Sequence, residues 1–165
     1  TRALAAYERT LISGRSPYDR FLQGEKNAIS ESAKRGEQLF FSETAECFHC
    51  PAGLFFTDNS FQNNGLAEEY DDKGVFRATG DPTDKGRFKV PSLRNVELTA
   101  PYMHDGSMET LEEVIRHYES GGAKHPNKSP FIRQFEISDQ QRQDLIAFLK
   151  SLTDEEFAQA PNQIN

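Results

Sequence analysis

The chain has 165 residues, 36% of them apolar and 27% charged, with a formal net charge of −7. That length carries one domain with a real core, and the acidic balance argues against a nucleic-acid partner. No apolar run approaches the roughly 18 residues that a membrane-spanning helix needs, so no span is expected.

The opening Thr1-Arg2-Ala3 reads as the middle of a sequence, so a leader or a whole preceding domain is expected upstream. The first helix is predicted over residues 2–13, with Leu4, Tyr7, Leu11 and Ile12 near one face and Gly14 as its stop. Ser16-Pro17-Tyr18-Asp19 is a turn able to open a short helix. Ser30 or Ser32 caps the next helix, which carries Ala33, Gly36, Leu39 and Phe40. It delivers the chain to Glu46-Cys47-Phe48-His49-Cys50-Pro51.

Residues 51–108 are rich in Gly, Pro, Asp and Asn and keep no helical period. A loop of that length in a compact domain signals function or disorder. Phe55, Phe56, Phe61, Phe76 and Phe88 argue against disorder, which is poor in aromatics. These rings are expected to surround a filled space, and a flat cofactor such as haem would fill it. Thirteen Phe with no Trp fit that picture, although ordinary core packing explains the same composition.

Helices resume at Thr110-Leu111-Glu112-Glu113, a capping box followed by Leu111, Val114, Ile115 and Tyr118 on one side and ended by Gly121-Gly122. A second box, Ser138-Asp139-Gln140-Gln141, opens a helix with Leu145, Phe148, Leu149 and Leu152 as its buried stripe. Asp154 onward reads as a polar tail. No internal repeat is visible. The fold class is mostly α, with three or four helices tied by long irregular loops.

The two cysteines have three readings. Cys-x-x-Cys followed at once by His is the attachment signature of a c-type haem, in which the thiols bond the porphyrin and the histidine binds iron. Cys47 and Cys50 have that spacing, but position 51 is proline. A thioredoxin-like disulfide needs a βαβ context that is missing here. A zinc half-site needs two more ligands, and His104, His117 and His125 lack the spacing. A lone histidine is more often a hydrogen-bonding residue than a ligand. Met103 and Met108 are possible thioether ligands, with core filling as the plain alternative.

Near end-to-end stretches carry a family resemblance. They include 3–13, Ser16-Pro17-Tyr18-Asp19-Arg20, Arg35-Gly36-Glu37-Gln38-Leu39-Phe40-Phe41, Cys47-Phe48-His49-Cys50, Phe56-Thr57-Asp58, Asn63-Asn64-Gly65-Leu66 and 89–96. The most specific is Leu98-Thr99-Ala100-Pro101-Tyr102-Met103-His104-Asp105-Gly106, followed by 110–114. On these residues the chain resembles the C-terminal haem domain of the bacterial di-haem cytochrome c peroxidase/MauG superfamily, a cytochrome c-like helical domain spanning 1–165.

The resemblance implies haem c bonded to Cys47 and Cys50, with Tyr118 as distal iron ligand. It also implies calcium held by the backbone carbonyls of Thr99 and Pro101, and Arg94 and Lys89 as partners of the haem propionates, with structural roles as the alternative for both. The family's proximal histidine would stand at position 51, where proline offers iron no ligand. The peroxide-reacting domain of the family is N-terminal, and no second Cys-x-x-Cys occurs here. The expected role is therefore electron relay to that partner domain and a redox partner protein, in the periplasm. The competing expectation is a haem-free structural or interaction domain of the same fold.

Overall fold

Two capped helices cross at a glycine and set the core. The computed structural model describes residues 2–42, 53 and 55–159. Helices α1 (Arg2–Glu8), α2 (Pro17–Leu22) and α3 (Glu31–Phe40) precede a long irregular region. That region contains strand β1 (Phe61–Gln62), helix α4 (Phe76–Thr79) and strand β2 (Phe88–Lys89). Helices α5 (Leu111–Glu119), α6 (Asp139–Ser151) and α7 (Glu155–Gln159) complete the chain. The mostly α, cytochrome c-like class is as expected, with one small antiparallel ladder pairing Phe61 with Lys89 and Gln62 with Phe88.

Each main helix starts where a side chain satisfies an orphan backbone N–H. Ser30, not Ser32, caps α3, accepting from Ala33 N at 3.1 Å. Ser32 instead donates to Asp144 across the α3–α6 contact. Ser138 and Gln141 box the start of α6, and Thr110 and Glu113 box α5. On α3 the spacing of Ala33, Gly36 and Phe40 puts all three on one buried face. This face meets Leu145, Phe148 and Leu149 of α6 in the core, and α3 and α6 form the principal helix pair. Phe148 is fully buried, with Phe40 and Tyr18 rings 5.2 and 5.3 Å from its own.

Charge pairs tie the loops to this core. Arg94 grips Asp19 through two 2.9 Å bonds, with both side chains under 10% exposed. Burial opposes ionisation of Asp19, but Arg94 and Ser16 overcome it and hold the carboxyl below its ordinary range. Arg35 bonds Asp144 twice at 2.8 Å and, as the largest influence, helps bring its pKa down to about 2. Arg142 links α6 to Glu119 at the end of α5.

Depressed carboxyl pKa values make stability rise with pH, because the unfolded chain then binds more protons than the folded one. The contribution of Asp144 is complete above the unfolded carboxylate pKa of about 4. It is lost as pH falls through the folded value of about 2. Thermal melts should therefore show a fall between about pH 4 and pH 2 that comes from this carboxylate. Asp144→Asn should flatten that fall, as circular dichroism at a series of pH values would show.

Several expectations need correction. The first helix ends at Glu8, not near residue 13, and buries nothing; Leu4 and Ile12 are 66% and 77% exposed. Asp154 does not open a polar tail. It is 2% exposed, accepts from the Gly14 and Arg15 amides at 3.0 and 2.9 Å, and caps α7 by accepting from Phe157 N. Residues 61–89 contain short regular elements within the expected structureless stretch. Cys47, His49, Cys50 and Pro51 lie outside the described residues.

Candidate functional site

A cavity of about 510 Å³ opens between α5, α6, the β2 strand and the turn around Pro101. Its wall is mostly apolar, with Phe40, Phe88, Phe131 and Phe135 among the lining rings. The volume falls in the range of small-molecule and cofactor pockets. Of the five loop phenylalanines expected to enclose the space, Phe88 alone is in its wall. Phe56 is packed in the core against Tyr18 and Phe148, and Phe55 and Phe61 are exposed. Phe76 packs under the Lys85 ammonium at 5.2 Å.

Tyr118, Thr99 and Pro101 all line this cavity. Tyr118 was expected at a haem and Thr99 and Pro101 at a calcium ion, and all three stand in the wall of one cavity. The expected haem cysteines, Cys47 and Cys50, lie outside the described residues. Tyr118 is delivered by the last turn of α5, whose capping box fixes the start of the helix and so the direction its later residues face. Met103 is in the wall and Met108 is not; Met108 instead pairs its backbone with Tyr102. The Tyr118 phenol and the Met103 thioether are donor types that iron accepts, and His104 shares the wall.

The histidines are held by neighbours. His104 stacks on Phe88 with ring centres 3.8 Å apart. His125 accepts at Nδ1 from Asn127 N at 3.0 Å, which leaves its proton on Nε2. His117 Nε2 donates to the Asn64 carbonyl at 3.0 Å. Burial pushes the His117 pKa down, the Asn64 carbonyl opposes this, and nearby Lys128 lowers it further. His117 therefore stabilises the fold as a neutral ring. That contribution is complete above its unfolded pKa of about 6.5 and is lost as pH falls through the lower folded value.

Among the described residues, the charged side chains of the wall are Lys89 and Arg133, both cationic. Lys89 donates to Val90 O at 3.1 Å and Arg133 to Pro130 O at 2.8 Å. Arg94, expected as an anion partner or a structural residue, pairs with buried Asp19 and is not among the described residues of the wall. The sequence reading missed Arg133 and Asn64. Nothing local marks either one, because their place in the wall comes from elements distant in sequence. The apolar slot, the two cations and the oxygen and sulfur donors suit a flat apolar cofactor with an anionic edge and a metal centre.

Comparison with known proteins agrees with that geometry. The family described as "Cytochrome c" matches residues 33–153. The methylamine utilization protein MauG of Methylorubrum extorquens is 43% identical over 153 residues, covering 92% of this chain and 43% of its own length. The cytochrome c551 peroxidase of Nitrosomonas europaea is 36% identical over 157 residues, covering 93% of this chain and 43% of its own. Among solved structures, a MauG-like protein associated with microbial copper homeostasis superposes with a TM-score of 0.83 at 42% identity. That match covers 90% of this chain and 55% of the other. The diheme peroxidase BthA from Burkholderia thailandensis reaches 0.68 at 20% identity over 86% of this chain and 47% of its own, a likeness of fold alone. The chain spans less than half the length of the MauG and peroxidase relatives.

Proposed function

The chain belongs to the cytochrome c family, among the relatives of MauG and the bacterial cytochrome-c peroxidases, and from that premise we propose that it is the electron-relaying haem c domain of a periplasmic di-haem oxidoreductase. The observation that carries this reading is the apolar cavity of about 510 Å³ with Tyr118 in its wall. Haem, when bound there, supplies a one-electron iron couple.

The chain's own residues have separable parts in this reading. Cys47 and Cys50 tether the porphyrin through thioether bonds. Tyr118 would ligate the iron, as an anionic hard donor that favours the ferric state. Lys89, joined by Arg133, would neutralise the propionates. The aromatic and aliphatic wall excludes water, which strengthens every charge interaction inside. The Thr99 and Pro101 carbonyls offer hard oxygen donors to a calcium ion shared with a preceding domain. That N-terminal haem domain and a redox protein are the partners, and reduction of peroxide is the activity of the complete protein.

Pro51 favours a second reading. With no histidine at the proximal position, the same fold would serve as a haem-free structural or interaction domain. An absorption spectrum and intact mass, taken on protein from a host with a cytochrome c maturation system, separate the two. The haem reading expects a Soret band and a mass increase of one haem that survives denaturation. An apoprotein mass without a band would leave the second reading standing.

A further inference from the structure

Asn64 touches three walls of the cavity at once. It follows β1 and lines the cavity itself. Its side-chain Nδ2 donates to the Met103 Sδ at 3.2 Å. Its Oδ1 accepts from the Leu66 amide at 3.2 Å, which settles which end of the amide faces the sulfur. Its backbone carbonyl accepts from His117 Nε2 on α5, one residue before Tyr118. The end of α5 is pressed against the same segment: Ala123 N donates to Gly65 O at 2.7 Å, and a Cβ at Gly122 would stand 3.0 Å from Asn64 O.

Met103 is held in an unusual state for its type. Its φ is +73°, in the left-handed region that a side-chain-bearing residue rarely adopts. The backbone around it is pinned by Tyr102 N donating to Met108 O at 2.6 Å. A flexible thioether in a cavity wall would ordinarily sample several rotamers. Here one N–H donor engages its sulfur and fixes where the remaining lone pair can point.

Two donors, Met103 and Tyr118, thus share one cavity, and Asn64 bonds the first through its side-chain amide and the helix that carries the second through its backbone carbonyl. We propose that Asn64 is a positioning residue that keeps the Met103 thioether engaged and so reserves the iron for Tyr118. This rests on the haem reading above. Occupying a sulfur lone pair with a hydrogen bond weakens that sulfur as a ligand, and thioether ligation raises a haem's reduction potential whereas phenolate ligation stabilises the ferric state. Asn64 therefore sets the potential of the site without itself reaching the metal.

The test uses Asn64→Leu, which keeps the shape and removes the donor, alongside Met103→Leu and the double variant. In the haem-free chain, the Met103 methyl carbon resonance should move in Asn64→Leu; an unmoved resonance overturns the proposal. In the haem-loaded chain, Asn64→Leu should gain a thioether-to-iron charge-transfer band and an upward shift of reduction potential. Met103→Leu should show neither, and the double variant should return to the parent spectrum. An unchanged Asn64→Leu spectrum, or a shift that persists in the double variant, overturns the proposal. A thioether band already in the parent chain defeats the Tyr118 assignment instead, and a parent chain with no haem signal defeats the haem reading and this proposal with it. Circular dichroism of each variant separates these outcomes from loss of fold.

Discussion

Replacing Pro51 with histidine should bring the chain to one covalent haem, whatever fraction the parent carries. Proline offers iron no donor, and its ring nitrogen is spent in the peptide bond. The two thioether cysteines are already spaced for attachment, so the substitution restores the one missing member of Cys47-Phe48-His49-Cys50-His. The apolar cavity and Tyr118 are present in the folded chain, so no second repair is needed. Haem content, read from denatured absorbance and intact mass, should reach one per chain, and the histidine would supply a nitrogen ligand to the iron. A Pro51→His chain that carries no haem would mean that the cavity does not accept the group, and the haem reading would have to be given up.

Gly36→Ala should cost the fold about 2 kcal/mol or more, lowering the melting temperature by about 6 °C. Alanine normally gains about 1 kcal/mol over glycine inside a helix. Here a Cβ would overlap the Asp144 carbonyl and come within 2.9 Å of Phe148 Cβ. Overpacking of this kind costs about 3 kcal/mol or more, because the obstructing atoms belong to the α6 backbone and no rotamer change relieves them. The two helices must separate, which loosens Phe148 and the Phe40 ring that also lines the cavity. Gly14→Ala is the control: nothing lies within 4 Å of a Cβ there, so stability should change by about 0.5 kcal/mol at most. Equal melting temperatures for the two variants would mean that α3 and α6 do not cross at Gly36.

The cap and stripe signals were legible because each is contained in one turn of chain. Thr110 with Glu113 and Ser138 with Gln141 close hydrogen bonds over three residues, and the structure has both boxes. The stripe of Leu145, Phe148, Leu149 and Leu152 is likewise buried as its spacing requires. The first helix failed by the same logic. Its apolar face was real in the sequence, but among the described residues no packing partner covers it, and short helices hold together mainly through such packing.

By itself, the sequence determined the helical class, the family resemblance and the chemistry available at Cys47, Cys50, Pro51 and Tyr118, because residue type and local spacing carry all of these. Only the tertiary structure decided which side chains share the cavity. Arg94 was drawn to Asp19, 75 residues away, and Asp154 to amides 139 and 140 residues away. Asn64 reached Met103 across 39 residues and His117 across 53. A buried charge or a buried amide takes whichever complementary group the fold brings within about 3 Å, since leaving it unpaired costs more than any local preference can offset. No local pattern along the chain encodes that choice.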